Sequence, residues 1–261
     1  MFERRVLGED LAVLVPLSLE AEGFGAAFTE RTGGVSDGPF RSLNLGFASG
    51  DERDRVLENR RRLQAALGVG ALALVRQVHG AGVVRVPGPS EGAGPPGADG
   101  PSPLRPTGDV LTTLAANVPL SVLVADCVPV ALADPATGQV AAVHAGWRGI
   151  AAGVLEAAVA AFPRPRSLLA AVGPAVGPDH YEVGPEVAAA VRRATSQAVV
   201  VRTGGALRLD LGATVERTLR DLGVARIERA ELCTACLPER FFSYRRDRRT
   251  GRQALVAWRV G

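Results

Sequence analysis

A cysteine and a histidine in the middle of the chain have a setting that would bring them together. Cys127 lies in the segment A-D-C-V-P and His144 begins the segment H-A-G-W-R-G, with a turn-like run at residues 134–138 between them. The flanking residues are apolar and partly β-branched, which predicts a hairpin. A hairpin centred in that run places Cys127 directly opposite His144, with Cβ atoms about 5 Å apart. Pro129 weakens this prediction, because proline favours edge strands and bulges.

A third residue of the same chemical kind is His79, which lies in Q-V-H-G at the predicted end of a strand. His79, Cys127 and His144 would give three protein ligands and leave a fourth position open, as in catalytic zinc sites. Such a metal polarises a substrate or activates water. Two alternatives stay open from the residues alone. Cys127 is a nucleophile with His144 as its base, or it is a buried cysteine near two unrelated histidines.

The segment from His144 to Gly149 also has the composition of an anion site. It lies between a predicted strand and a predicted helix, where glycines allow close backbone approach and free N–H groups attract anions. Arg148 would add a guanidinium fork for phosphate or an oxyanion. The alternative is a tight structural turn. Asp126, beside Cys127, would orient a ligand, move a proton or serve as a structural cap.

Composition narrows the class of protein. The chain has 261 residues, 47% hydrophobic composition and a formal charge of +3, and all 30 basic residues are arginine. The absence of lysine excludes Schiff-base chemistry and a P-loop lysine. Basic residues scattered among 27 acidic ones, with few aromatics, argue against nucleic-acid binding. No apolar run reaches the ~18–20 residues of a membrane span, and three cysteines suit a reducing compartment. We expect a cytoplasmic protein without a membrane partner, and a monomer.

The periodicity predicts an α+β protein, because strands and helices mix without regular βαβ alternation. We expect one domain over residues 1–261, with an exposed Pro/Gly-rich loop at about residues 87–108. Predicted strands cover residues 11–17, 24–29, 75–78, 83–86, 120–125, 128–133, 139–143, 168–172, 227–233 and 253–258, and predicted helices cover residues 51–67, 150–162, 184–195 and 211–222.

The other two cysteines, Cys233 and Cys236, have the C-x-x-C spacing. A structural zinc site of the usual kind needs a second pair, which the chain does not have. A thioredoxin-like motif should begin a helix after a strand, whereas Leu237-Pro238 follows here. We therefore predict neither from this motif.

Eight motifs in order resemble the YfiH family, also called the laccase-domain or polyphenol-oxidase-like family. They are F-T-E-R-T-G-G at residues 28–34, S-L-N-L-G at 42–46, Q-V-H-G at 77–80, A-D-C-V-P at 125–129, H-A-G-W-R-G at 144–149, G-P with Y-E-V-G at 173–184, C-T at 233–234, and F-F-S-Y-R-R-D with T-G-R at 241–252. The resemblance covers residue 24 to the end, and so many ordered motifs are far more specific than any one alone.

The resemblance implies a layered α/β/β/α fold with mixed sheets, related to a bacterial toxin's cysteine-hydrolase domain. It implies a zinc site at His79, Cys127 and His144. It also implies phosphorolysis of adenosine, inosine, guanosine and methylthioadenosine, with adenosine deamination, so the partners would be a purine nucleoside and phosphate. By motif position Arg31, Asn44, Arg148 and Arg245 become candidate substrate- or phosphate-binding residues.

An older label for the family is copper-dependent polyphenol oxidation. Three histidines are too few for the several copper centres of a multicopper oxidase. A single blue-copper site usually adds an axial methionine to two histidines and a cysteine, and the only methionine is Met1. Zinc therefore fits better, with copper as the alternative. The chain departs from many relatives at Asp179-His180, where they have a cysteine, so we expect His180 to line the pocket without being an essential ligand.

Overall fold

The computed structural model describes residues 1–88 and 106–261. Its strands are β1 (Phe2–Leu7), β2 (Leu11–Pro16), β3 (Phe24–Thr29), β4 (Val83–Arg85), β5 (Val110–Thr113), β6 (Leu120–Val124), β7 (Val128–Asp134), β8 (Gln139–Ala145), β9 (Leu169–Val172), β10 (Glu182–Val183), β11 (Val199–Thr203), β12 (Ala206–Asp210), β13 (Arg226–Arg229) and β14 (Gln253–Arg259). Its helices are α1 (Leu17–Glu20), α2 (Arg53–Leu67), α3 (Trp147–Ala151), α4 (Val154–Ala160), α5 (Pro185–Ala194), α6 (Leu211–Asp221) and α7 (Tyr244–Asp247). Most of the predicted loop at residues 87–108 lies outside the described residues.

These strands form several sheets of different kinds. A five-stranded antiparallel sheet has the order β1-β2-β3-β14-β6, and a six-stranded mixed sheet has the order β13-β9-β7-β8-β5-β4. A small sheet, β10-β12-β11, completes the described set. The prediction of a mixed α and β protein is confirmed at this level. Within the described residues, no helix is both long enough and apolar enough to cross a membrane.

Three apolar clusters hold the sheets and helices together. One cluster contains Phe28 and Leu255 from the five-stranded sheet and Ala131 and Ala142 from the six-stranded sheet, so the two sheets pack against each other. A second joins the six-stranded sheet to helices α4, α5 and α6. A third joins helix α2, through Leu63, to the five-stranded sheet. The hairpin β7–β8 is therefore interior, with neighbours on both faces.

The hairpin forms, but the predicted register is wrong. His144 pairs with Pro129 and not with Cys127. The loop comprises residues 135–138, because Gly138 adopts φ +73° and its N–H donates to the carbonyl of Asp134. Asp134 then pairs with Gln139, which moves the centre of the hairpin one residue along from the predicted one.

Pro129 is tolerated inside the sheet for a reason that can be read from its hydrogen bonds. The N–H of His144 donates to the carbonyl of Asp109 on the side of β5, so it does not need an acceptor on β7. The carbonyl of Pro129 still accepts from the N–H of Gly173 beside β9. The missing donor of the proline therefore interrupts no bond between β7 and β8.

Several predicted elements are shorter than expected or differently built. The segment 75–78 makes one isolated bridge, from Arg76 to Thr107, instead of a strand. The predicted helix 150–162 is two helices, α3 and α4, separated by Gly153 with φ +83°. The predicted strand 227–233 ends at Arg229. The prediction missed the strands β1, β5, β10, β11 and β12 and the one-turn helices α1 and α7, because these elements are too short or too mixed in polarity to show a clear period.

Candidate active site

The two central residues meet in spite of the changed register. Cys127 precedes β7 and lies two residues from Pro129, the strand partner of His144. Residues two apart along a strand share a face, so Cys127 and His144 become diagonal neighbours instead of direct partners. Gly146 leaves the space that this needs, because a Cβ atom there would lie 2.8 Å from the Cys127 sulfur. Side chains alternate between the two faces of a strand. A change of two residues in the pairing therefore keeps Cys127 and His144 on the same face.

His79 completes the cluster from a loop in a different part of the chain. Its Nε2 lies 3.8 Å from the Cys127 sulfur, and its ring centroid lies 4.7 Å from that of His144. One ligand atom of each of these residues lies within 4.8 Å of the other two. His79 is exposed, Cys127 is half-buried and His144 is buried, so the cluster opens to solvent on the His79 side.

Asp109 organises the cluster, and the sequence reasoning missed it. It is completely buried, and its Oδ1 accepts from the N–H of His79 at 3.0 Å and lies 2.8 Å from Nδ1 of His144. Its Oδ2 accepts from the N–H groups of Val78 and Gly80 at 3.2 and 2.8 Å. One carboxylate thus holds the backbone of His79 and the ring of His144. The available signal was a lone acidic residue directly before the apolar strand β5.

The backbone at His79 shows why this carboxylate is needed. His79 adopts φ +59°, a left-handed conformation that costs a non-glycine residue free energy and is uncommon outside functional sites. Three successive N–H groups around it converge on Asp109, which offsets that cost. The amide of Gln77 holds the preceding residues by bonding both the N–H and the carbonyl of Leu123 on β6.

Asp126 has a structural role in this arrangement. Its carboxylate accepts from the hydroxyl of Thr234 at 2.6 Å and from the N–H of Arg245 at 2.5 Å. Its backbone carbonyl accepts from the N–H of Val176. Of the three roles open for it, these contacts support the cap. Asp126 ties the residue next to Cys127 to the segments that carry Thr234 and Arg245.

The charges of the cluster depend on one another. Burial raises the pKa of the Cys127 thiol, but His144 and His79 outweigh it and lower that pKa to about 6. Burial likewise lowers the pKa of His144, but the Cys127 thiolate and Asp109 outweigh it and raise that pKa to about 9. Hydrogen bonds from His144 and the backbone hold the pKa of Asp109 below its usual range, against the effect of burial. These shifts favour a thiolate–imidazolium pair at Cys127 and His144 when no metal is bound.

The same donor set suits a metal ion. Because Nδ1 of His144 is bonded to Asp109, its proton is held there and Nε2 is the nitrogen that remains for a ligand bond. A carboxylate behind a ligating histidine is the usual support for such a ligand. A thiolate with two imidazoles is a donor set that zinc accepts readily, and copper also accepts it. The residues therefore fit a metal, and they do not by themselves distinguish between these two.

The cluster lies in a cavity of about 640 Å³. This volume falls within the usual range for small-molecule sites. The wall combines aromatic rings with a set of guanidinium groups. The arginines that line the cavity are Arg76, Arg148, Arg245, Arg248 and Arg252. The aromatic residues that line it are Phe47, Trp147, Tyr181 and Tyr244. Such a surface favours an anionic ligand that also carries a flat ring.

The structure brings two of the four predicted binding residues to this cavity. Arg148 lies over the ring of Trp147 at 4.4 Å, and Arg245 lies over the ring of Tyr181 at 4.7 Å. Both line the cavity. Arg252 also lines the cavity, although the sequence motifs did not single it out as a binding residue. Burial lowers the pKa of Arg252, while Cys127 and Asp126 favour its charged form.

The other two predicted residues contact the protein itself. Arg31 donates to the carbonyls of Arg41 and Pro238 and lies over the ring of Phe242. Asn44 is buried, and its side-chain Oδ1 accepts from the N–H groups of Gly46 and Arg252. Neither is among the residues that line the cavity. Asn44 nevertheless positions the backbone of Arg252, which does line it.

Comparison with known proteins agrees with the motif analysis. Residues 25–260 match the family described as "Multi-copper polyphenol oxidoreductase laccase". The protein named purine nucleoside phosphorylase YfiH from Escherichia coli K12 is 39% identical over 252 residues, covering 95% of this chain and 99% of its own. A protein named purine nucleoside phosphorylase from Streptomyces coelicolor is 42% identical over 238 residues, covering 88% and 93%.

A solved structure extends the likeness to three dimensions. The crystal structure of YlmD from Geobacillus stearothermophilus superposes with a TM-score of 0.90 at 34% sequence identity. The match covers all of this chain and 99% of that one. The mixed α/β fold with several sheets is therefore shared over the whole length.

Proposed function

The chain belongs to the family described as multi-copper polyphenol oxidoreductase laccase, and we propose that it is a zinc-dependent purine nucleoside phosphorylase that also deaminates adenosine. One observation carries the proposal. A His–Cys–His donor set opens into a cavity whose wall holds five guanidinium groups, so a metal site and an anion site share one space. The names of relatives about 40% identical support phosphorolysis as the reaction.

In this proposal the arginines bind inorganic phosphate. Arg148 is exposed at the cavity and would hold the phosphate by a charge-assisted fork, with Arg245 as a second donor. A phosphate oxygen then attacks the ribose C1′ atom while the bond from C1′ to the purine nitrogen breaks. The products are ribose 1-phosphate and the free purine, which takes up a proton from solvent or from the attacking phosphate as it leaves. The proposed substrates are adenosine, inosine, guanosine and methylthioadenosine.

The aromatic residues would hold the purine. The ring of Tyr181 is packed under Arg245, and Tyr244 and Trp147 lie on the same cavity wall. Flat rings of this kind bind a base by stacking at low entropic cost. Tyr181 stays neutral over the working range, because burial raises its pKa to about 12. It is a packing and hydrogen-bonding group here and not a base.

His79, Cys127 and His144 would hold the zinc. When bound, zinc supplies a Lewis acid that polarises the substrate and also serves the deamination of adenosine. The chain's own contribution is to keep the ligands in place. Asp109 holds the proton on Nδ1 of His144 and fixes the conformation of His79. The three histidines of the chain are too few for several copper centres, and the only methionine, Met1, is not in the motifs that would supply the axial ligand of a single blue-copper site, so we propose zinc as the functional metal, with copper as the alternative.

The test is a product analysis. Metal-analysed protein is incubated with adenosine, with and without phosphate, and the bases and nucleosides are resolved by chromatography. We expect adenine only when phosphate is present, inosine when phosphate is absent, and inosine together with the hypoxanthine formed from it when phosphate is present. Zinc-loaded protein that forms neither product would overturn the proposal.

A pair of arginine variants sharpens this test. Arg148→Gln should raise the KM for phosphate about tenfold or more, because a charge-assisted contact is lost, and should leave deamination unchanged. Arg61→Gln is the matched control, because Arg61 is exposed on α2 and pairs with Glu58. If the two variants change the KM for phosphate equally, Arg148 does not bind phosphate.

A second candidate function is favoured by the geometry of the metal-free cluster. Cys127, His144 and Asp109 have the order of nucleophile, base and orienting carboxylate, and the thiol pKa is lowered. A cysteine hydrolase of this kind would lose activity on thiol alkylation and keep it in the presence of a chelator. The phosphorylase proposed here should lose activity under both treatments.

We propose also that the chain is a single domain with the layer order α/β/β/α that the family resemblance implies. The three apolar clusters support this order, because they join α2 to the five-stranded sheet, the two large sheets to each other, and the six-stranded sheet to α4–α6. The relation to a cysteine-hydrolase fold remains part of this proposal.

A further inference from the structure

A second group of soft metal ligands lies outside the cluster just described. A ligand atom from each of His180, Cys233 and Cys236 lies within 4.8 Å of the other two. His180 ends a short 3-10 turn at Pro178–His180, and the cysteines come from the C-T-A-C turn after β13. The expectation that His180 lines the main cavity is not met: it lies beside the C-x-x-C pair and borders a different surface cavity.

We propose that His180, Cys233 and Cys236 form a second zinc site. Two thiolates and one imidazole are ligands that zinc prefers, and C-x-x-C is a spacing from which two sulfurs bind one ion. A tetrahedral ion with Zn–S bonds of about 2.3 Å holds its ligands about 3.8 Å apart. Rotations of the exposed His180 and Cys236 side chains would close the remaining gap. His180 supplies one of the ligands that a second cysteine pair would provide in a structural zinc site of the usual kind.

The sulfur of Cys233 is held in place by the backbone around Gly177. Cys233 is half-buried, and its sulfur accepts from the N–H of Gly177 at 3.2 Å. Gly177 permits this approach, because a Cβ atom there would lie 3.3 Å from the same sulfur. The backbone of Cys233 forms a parallel bridge with Ala175. N–H groups that donate to a cysteine sulfur stabilise the thiolate that a metal needs.

The other two ligands are accessible to solvent. His180 and Cys236 are exposed. Arg208 donates to the backbone carbonyls of Pro178 and Asp179, which holds the turn that carries His180. Ions can therefore reach these two ligands from the surface.

A zinc ion at this site would link two segments that lie behind the wall of the main cavity. His180 is followed by Tyr181, whose buried ring lines that cavity. Cys233 is followed by Thr234, whose hydroxyl donates to Asp126 beside Cys127. One ion bound to both segments would fix Tyr181 and Asp126 relative to each other. The proposal concerns metal content and stability, so it does not depend on the proposed phosphorylase reaction.

The experiment measures zinc per chain and identifies its ligands. Full-length protein purified under reducing conditions is loaded with zinc, dialysed and analysed, and cobalt is then substituted to count thiolate ligands by their charge-transfer absorption. We expect two equivalents of zinc for the wild type. Cys127→Ser should keep one equivalent of metal. Its cobalt form should absorb more strongly than a one-thiolate site does, because Cys233 and Cys236 both remain.

The two exposed ligands carry the decisive test, since their replacement removes no buried contact. His180→Asn and Cys236→Ser should each retain one equivalent of zinc, with a one-thiolate cobalt spectrum, and should show a lower Tm than the zinc-loaded wild type. Cys233→Ser is the less informative variant, because it also removes the acceptor of the Gly177 N–H.

Three results would overturn the proposal. Zinc could be absent from Cys127→Ser, His180→Asn could leave the second equivalent and its spectrum unchanged, or protein purified with reductant could still carry Cys233 and Cys236 as a disulfide. The last result would leave the pair without thiolates for a metal.

Discussion

Replacing Asp109 with asparagine tests whether one buried carboxylate sets the metal site. The variant keeps the shape of the side chain and exchanges one acceptor oxygen for an NH₂ donor. If the NH₂ takes the place of Oδ2, it faces the N–H groups of Val78 and Gly80. If it takes the place of Oδ1, it faces the N–H of His79 and forces Nδ1 of His144 to accept, which moves the proton to Nε2.

Each arrangement has a magnitude. In the first, two N–H groups lose their acceptor, at about 1–3 kcal/mol each when fully buried. Val78 is exposed and Gly80 half-buried, so water compensates in part and we expect a loss of about 2–3 kcal/mol in the free energy of unfolding. In the second, the nitrogen needed by the metal is protonated. Loss of such a supporting carboxylate weakens metal affinity about 10–100-fold, equivalent to about 1.4–2.7 kcal/mol.

The assay combines zinc competition against a chelating dye with urea unfolding of the metal-free protein. Asp134→Asn is the matched control. Asp134 is equally buried and accepts from Ala136, Thr137 and Ser167 in the β7–β8 turn, at the far end of the hairpin. It should lose stability and keep its zinc affinity. If Asp109→Asn binds zinc as the wild type does and also loses no stability, Asp109 does not have this role.

Three further perturbations follow from the same structure. Gly146→Ala should abolish metal binding at the main site, because its Cβ would lie 2.8 Å from the Cys127 sulfur; zinc titration checks this. In metal-free protein, alkylation of Cys127 should rise with a midpoint near pH 6, as measured by mass spectrometry of its peptide. The stability due to its pair with His144 should be lost as pH falls through about 6 and as it rises through about 9, in urea unfolding across pH. Asp210→Ala should cost about 1 kcal/mol in urea unfolding, because Asp210 caps α6 by accepting from the N–H of Ala213.

Each of these has a matched comparison. Gly70→Ala has open space around the new Cβ and should leave zinc binding unchanged. Alkylation that follows an ordinary thiol midpoint near pH 9 would show that no thiolate–imidazolium pair forms at Cys127. Asp221→Ala removes an exposed acid at the other end of α6, where a negative charge is unfavourable, and should not destabilise the protein. Equal losses from both helix variants would contradict the capping argument.

Local patterns were enough to predict much of the fold. Strand β3 agrees with its prediction at both ends, and α6 differs from its prediction by one residue, because alternation and a capping aspartate are local signals. Gly153 shows where this fails. Its flanks are alanine-rich and read as one helix, but its positive φ separates α3 from α4. Sequence periodicity does not report a single left-handed residue.

The candidate site divides in the same way. Residue types and spacing predicted that His79, Cys127 and His144 could form a ligand set, since few other residues can do that chemistry. The sequence could not show that Asp109 supports two of them, because that link joins a loop to a strand about 30 residues away. The same holds for His180 and the C-x-x-C pair. Those contacts depend on the packing of segments that are distant in the chain.

The amino-acid sequence by itself therefore determined the chemical inventory: an arginine-only basic set, three histidines, three cysteines and the motifs that identify the family. Tertiary structure decided which of these meet. Arg148 and Arg245 reach the cavity, whereas Arg31 and Asn44 contact the backbone. The physical reason is that side-chain chemistry is local, while the position of a side chain depends on register, turn geometry and packing between distant segments.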